Sequence, residues 1–239
     1  GGLRYATTLE PYDVVGAKIV GMGVKVEQWR SQPAVEVEPW LRDRLRDTRL
    51  RANSLRSPQP MNVLANASFE KPAANGIPHW TFAAGPGIRA GLDSTKAHDG
   101  KQSLRITSQA VGGNAPVVWT RSEHLATPPT GRLSLRAWMR IENPEMQPKL
   151  RLAVEGRRDG KPYYRFVNVG QSEDGGVVKP LTREWAAYRF PLNDLPLTGL
   201  TDLRVGIDLM GAGDVWIDNV QLFEFWLEDQ ERDELLKNI

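Results

Sequence analysis

The residues of this chain best suited to chemistry are arginines and carboxylates set beside aromatic rings. In Gly131-Arg-Leu-Ser-Leu-Arg-Ala-Trp-Met-Arg-Ile-Glu142, Leu133, Leu135, Ala137, Met139 and Ile141 fall on one face of a strand. Arg132, Ser134, Arg136, Trp138 and Arg140 fall on the other, so Trp138 stands between two arginines. An indole offers an apolar face on which the C–H face of a pyranose stacks, while arginine, asparagine and aspartate meet its hydroxyls. Arginine forks also match carboxylate and sulfate groups, which extends such a surface to acidic polysaccharides. The same alternation turns Arg151 and Glu155 away from Leu150, Leu152 and Val154. It turns Arg204 and Asp208 away from Leu203, Val205, Ile207 and Leu209. Tyr163-Tyr-Arg-Phe-Val-Asn-Val169 has no clean parity, so either Tyr163 or Tyr164 faces outward near Arg165. If these strands share one sheet, Trp138, Arg136, Arg140, Tyr163 or Tyr164, Arg165, Arg204 and Asp208 line one groove.

Catalysis finds less support. His79, His98 and His124 are too scattered for a metal-ligand spacing, and no G-x-S-x-G elbow is present. A glycosidase needs two carboxylates across a cleft, for which Glu155 and Asp208 on the polar face are an example, and the plainer reading makes them ion-pair partners of neighbouring arginines. With no cysteine there is neither a disulfide framework nor a thiol nucleophile. A net charge of +2, with 31 Lys and Arg against 29 Asp and Glu, argues against a dedicated nucleic-acid binder. No apolar run is long enough to span a membrane, and no signal peptide opens the chain.

The elements that would position these groups are short strands. Turn signals recur at close spacing through Gly85-Pro-Gly87, Asp99-Gly100 and Pro128-Pro129, as in an all-β sandwich. Gly213-Asp-Val-Trp-Ile-Asp-Asn-Val-Gln-Leu222 reads as the closing strand, with Val215 and Ile217 inward. After Asp218-Asn219 the apolar parity shifts to Val220 and Leu222, as a bulge or strand end requires.

Four motifs carry a family resemblance: Asn62-Val-Leu-Ala-Asn-Ala-Ser-Phe-Glu70, Gly76-Ile-Pro-His-Trp80, His98-Asp-Gly-Lys-Gln-Ser-Leu104 and Val215-Trp-Ile-Asp-Asn-Val-Gln-Leu222. Over residues 61–224 the chain resembles the galactose-binding-like jelly rolls that include many carbohydrate-binding modules. The resemblance implies an all-β jelly-roll β-sandwich that binds glycan on the polar face of one sheet and belongs to an extracellular or periplasmic protein. It also implies a structural calcium held by Glu70, Asp218 and the main chain at Gly100 and Lys101, where a hard cation takes six to eight oxygens. The alternative for Glu70 and Asp218 is that they pair with arginines or cap turns.

The flanks fit the sandwich less well. Asp13–Val26 is β-prone and broken by glycines, and Glu38–Leu55 reads as a helix with Pro39 in its first turn. Leu41, Leu45, Thr48, Ala52 and Leu55 form its apolar stripe, and its arginines read as a solvated face. Glu228–Ile239 reads as a second helix, acidic at its start. The expected organisation is an N-terminal strand and helix extension at 1–60, the sandwich at 61–224 and a C-terminal helix at 225–239. The Gly-Gly start without methionine suggests a piece of a longer polypeptide. The expected function is a non-catalytic, carbohydrate-binding-like module whose partners are a polysaccharide and neighbouring domains. A docking sandwich without a small ligand and a fragment of a glycan-active enzyme are the alternatives.

Overall fold

The computed structural model describes residues 37–56, 59–71, 76–83, 87–109 and 116–224, together with Ala6, Thr7, Gln28, Arg30, Val35, Gln230, Asp233 and Glu234. The strands expected within 13–26 lie outside the described residues. So does the C-terminal helix apart from Gln230, Asp233 and Glu234, which are helical. The chain divides into two compact units, Gly1–Arg46 and Asp47–Ile239. The helix expected near residue 38 is α1, Val37–Arg56. Its exposed surface carries the i,i+4 pair Glu38–Arg42 and the i,i+3 pair Asp43–Arg46. Trp40, Leu41 and Leu45 on the same helix are also exposed.

The second unit is a jelly-roll β-sandwich. Its strands are β1 Trp80–Ala83, β2 Ile88–Asp93, β3 Ser103–Ser108, β4 Val118–Ser122, β5 Leu133–Arg140 and β6 Lys149–Arg158. They continue with β7 Lys161–Gln171, β8 Val177–Val178, β9 Ala186–Leu192, β10 Leu200–Leu209 and β11 Gly213–Phe223. All pairings are antiparallel. One sheet has six strands in the order β1-β4-β10-β6-β7-β8, the other five in the order β2-β3-β11-β5-β9.

The core lies between them and follows the period-two pattern of the sequence. Leu104 and Ile106, then Leu133, Leu135, Ala137 and Met139, then Leu150, Leu152 and Val154, then Val205, Ile207 and Leu209 are all buried. Each fully buried Leu or Ile contributes about 1.5–3 kcal/mol relative to exposure. Trp80 plugs one end against Phe69 at 5.3 Å and donates its indole N–H to the Asn66 carbonyl. The shifted parity in the closing strand is a bulge. The β11–β5 register breaks between Asp218 and Gln221, and Asn219 takes a φ of 47°. That bulge keeps Val220 and Leu222 in the core after an extra residue.

Candidate binding face

The outer face of the six-stranded sheet is built in rows by the register. Trp119 on β4 stands beside Asp208 on β10, Arg151 on β6 and Asn168 on β7. The next row is Arg121, Gly206, Ala153 and Phe166; the third is Arg204, Glu155 and Tyr164. At the usual strand spacing the face from β4 to β7 spans roughly 14 Å. Gly206 and Ala153 make its floor shallow. A Cβ at Gly206 would overlap the Thr120 carbonyl and press on the Arg121 guanidinium, so only glycine fits there.

Charge on this face is buried and paired. Asp208 is fully buried; it accepts from Arg121 Nη1 at 2.6 Å and from the Tyr164 hydroxyl at 2.5 Å. Arg121 Nε lies 2.7 Å from Glu155 Oε2, so one guanidinium serves two carboxylates. Burial pulls the Arg121 guanidinium down, but the hydrogen bonds and charges of Asp208 and Glu155 outweigh it and hold it above the ordinary arginine range. Burial, followed by the hydrogen bond to Asp208 and its charge, pushes the Tyr164 phenol up to about 12. Arg151 pairs with Glu173 and lies 4.1 Å from the Phe166 ring centre, and Tyr164 and Phe166 meet at 5.5 Å. Both rings remain more than a third exposed. Arg151 Nε and Asn168 Oδ1 are buried and make no hydrogen bond among the described residues.

The groove expected from the sequence is divided by the fold. Trp138, Arg136 and Arg140 lie on β5 of the five-stranded sheet, whereas Tyr163, Arg165, Arg204 and Asp208 lie on β7 and β10 of the six-stranded sheet. The seven residues cannot line one surface. Tyr163 and Arg165 share the parity of Val167 and Val169, so Tyr163 packs on the core and Arg165 reaches Asp194 at 2.6 Å. The outward tyrosine is Tyr164. Arg204 does face outward, and it meets His124 in a cleft with His79 and Glu123. Trp138 is capped: His98 stacks on it at 3.9 Å and 15°, and Trp185 closes edge-on to His98. Its neighbour Trp216 is 3% exposed beneath Arg105 at 4.5 Å and Lys96 at 5.4 Å, with its N–H on Asp93.

Trp119, Arg121, Arg151, Glu155, Tyr164 and Phe166 form the face that does carry aromatic and polar groups together. For Trp119 and Arg121 a signal existed, since Val118 inward forces both outward.

Glu70 and Asp218 both reach the turn at 98–102. Glu70 Oε1 accepts from the amides of Lys101 and Gln102, at 2.9 and 3.1 Å. Asp218 Oδ2 accepts from the amides of His98 and Asp99, and Oδ1 from that of Asn219. Gly100 has a φ of 71°, and a Cβ there would collide with the Glu70 carboxylate. Neither acid pairs with an arginine or lysine among the described residues. Burial pushes the Asp218 carboxyl up despite those amides, as expected of a carboxylate short of positive charge. Two unpaired carboxylates on one turn fit a hard cation in charge and donor type. No third acidic or histidine ligand joins them among the described residues, so carbonyls and water would complete its shell.

The chain matches no protein-family model and no curated protein. Among solved structures it is similar to a family 22 xylan-binding domain from Paenibacillus barcinonensis, at 17% identity and a TM-score of 0.47 over 66% of this chain and 90% of that one. A family 22 carbohydrate-binding module from Clostridium thermocellum aligns at 17% identity and a TM-score of 0.46, over 69% and 96% of the two chains. The enzymatically active domain of tailspike protein 4 of bacteriophage CBA120 aligns at 13% identity and a TM-score of 0.48, over 68% of this chain and 21% of that one. By its own two sheets the chain is a jelly-roll sandwich, the fold its motifs resemble.

Proposed function

We propose that the outer face of the six-stranded sheet binds a polysaccharide, and that the chain is a non-catalytic module of a larger exported protein. One observation carries the reading. The face combines the exposed rings of Tyr164 and Phe166 with two buried polar atoms, Arg151 Nε and Asn168 Oδ1, that make no hydrogen bond among the described residues. Sugar rings supply both complements, C–H faces for the rings and hydroxyls for the polar atoms. Arg121 and Arg151 are already neutralised by Asp208, Glu155 and Glu173, so a neutral glycan suits this face better than an acidic one. Hydrolysis is disfavoured by the same pairing. Glu155 and Asp208 would each have to release Arg121 before acting as acid or base, and Asp208 also holds Tyr164.

Affinity electrophoresis through gels containing neutral or acidic polysaccharides tests the reading. Retardation by a neutral polysaccharide that Trp119→Ala and Phe166→Ala abolish, and Trp138→Ala leaves intact, is the expected result. Loss in Trp138→Ala alone would move the site to the other sheet, and no retardation in any gel would favour a docking module. The reading includes a structural calcium at the 98–102 turn, held by Glu70, Asp218 and the main chain at Gly100 and Lys101. A chelator should then lower the melting temperature of the wild type and have no effect on Asp218→Ala; a wild type that melts unchanged in chelator would dispose of the ion.

A further inference from the structure

The five-stranded sheet carries a feature that the glycan face does not use. On its outer side one row runs Gln221 on β11, Arg136 on β5 and Arg189 on β9. Two arginines thus stand directly opposite each other on neighbouring strands, an arrangement that costs stability unless something negative lies between them.

The pairing is of the close kind. Lys179 Nζ donates to the Arg189 carbonyl at 3.3 Å from beyond the sheet edge. In an antiparallel strand the N–H and C=O of one residue point to the same side, so the main chain of Arg189 faces away from β5. Pro191, two residues on, agrees: its missing N–H falls on the same open edge, where proline is tolerated. Arg136 and Arg189 therefore form a pair without main-chain hydrogen bonds, whose Cα atoms are about 4.5 Å apart and whose side chains run side by side.

Arg136 is also held ready. Its Nε and Nη2 both donate to Gln221 Oε1, and Gln221 Nε2 in turn donates to Asn219 Oδ1 at 2.9 Å, on the bulge. Its guanidinium lies 4.7 Å from the Phe223 ring centre. Nη1 makes no hydrogen bond among the described residues. A glutamate at 221 would have neutralised Arg136, but the chain places an amide there, which fixes the fork and leaves its charge. Arg189 is exposed and makes no side-chain bond among the described residues. Burial and then the nearby Arg189 charge pull the Arg136 guanidinium down from its ordinary value. Lys179 adds a third cation at the edge, its ammonium bonded among the described residues to the Arg189 carbonyl alone.

We propose that Arg136 and Arg189 form a site for a single sulfate-type oxyanion, seated between the Nη1 edge of Arg136 and the guanidinium of Arg189. The site is independent of the glycan reading, since it lies on the opposite sheet and none of its residues takes part in the other face. The oxyanion can arrive free or as an ester on a sugar, and the same two forks would take either.

The test follows the arginine Nε–H resonances of the full chain by NMR while sulfate replaces chloride at constant ionic strength. A saturable shift at Arg136 and Arg189 is expected, with about tenfold weaker binding in Arg189→Ala. Glucose 6-sulfate against glucose separates the sources: saturation by the ester supports a sugar-borne anion, and saturation by inorganic sulfate alone supports a free one. In Arg189→Glu the new carboxylate pairs with Arg136, so the melting temperature should rise and the sulfate response should vanish. A shift that never saturates with either probe, or one that persists unchanged in Arg189→Ala, would overturn the proposal. Trp119→Ala, which is aimed at the glycan face, should leave the sulfate response untouched.

Discussion

Asp208 and Asp218 are both fully buried aspartates that point away from the core, one on each sheet, and they are satisfied in opposite ways. Asp208 is met by side chains, the guanidinium of Arg121 and the phenol of Tyr164. Asp218 is met by the main chain, through the amides of His98, Asp99 and Asn219. The difference extends to the whole of each face. Where side chains pair with side chains over a glycine and an alanine, aromatic rings stay open. Where a turn is drawn down onto the sheet by its amides, the rings are covered: His98 arrives with that turn and lies on Trp138. A tryptophan in an outward position becomes a binding platform only if the neighbouring strands and loops leave it bare.

Removing Asp208 should break the comparison hardest. Asp208→Ala strands the buried Arg121 with half its compensation, a loss of about 3–5 kcal/mol, which lowers the melting temperature by about 10 °C in a domain of this size. A circular-dichroism melt within a degree or two of the wild type would show that the network carries no stability. Asp218→Ala leaves three amides without an acceptor and should cost about 3 kcal/mol, with hydrogen exchange at His98 and Asp99 rising before that of the strands.

Tyr164 sharpens the contrast through pH. Its phenol is raised in the folded state from 10.0 to about 12, so the folded protein holds a proton that the unfolded chain releases. Its contribution is complete below pH 10 and disappears as pH climbs through about 12. Melting temperature plotted against pH should fall over that window, less steeply in Tyr164→Phe; parallel curves would count against the bond to Asp208. The smallest effect belongs to His98→Ala. Losing the stacked ring should cost about 1 kcal/mol and make Trp138 more accessible to acrylamide quenching, read as the difference from the same change in a Trp138→Phe background.

Much of the fold was legible because one-sided burial writes a period of two into the sequence. The strand from Leu133 to Arg140 and the closing strand with its bulge at Asn219 are of this type. The site was legible only in its pieces. Alternation tells which residues turn outward, but strand order decides which outward residues meet, and that order depends on contacts far apart in the chain. β10 enters between β4 and β6, and β11 between β3 and β5, so Asp208 and Trp138 end on opposite sheets. β7 hid its parity for a local reason. Both of its faces carry aromatic and polar residues, so Tyr163 and Tyr164 offered no bias until the pairing with β6 set them. The carboxylate clamp on the 98–102 turn came from the motif resemblance, since nothing within the turn itself announces acceptors at 70 and 218.

That clamp also sets an order of events during synthesis. The first segment of the sandwich docks on its last strand, the Met61 amide on the Leu222 carbonyl at 2.7 Å and the Val220 amide on the Ala67 carbonyl at 2.9 Å. Such distant closures are late steps, because the intervening chain must be ordered before they return any stability. A nascent chain that has not yet released Asp218 from the ribosome has only Glu70 to hold the turn at Gly100. Until the final strand emerges, the five-stranded sheet lacks its middle strand, and the gap between β3 and β5 is where a protease or a chaperone would find the unfinished domain open.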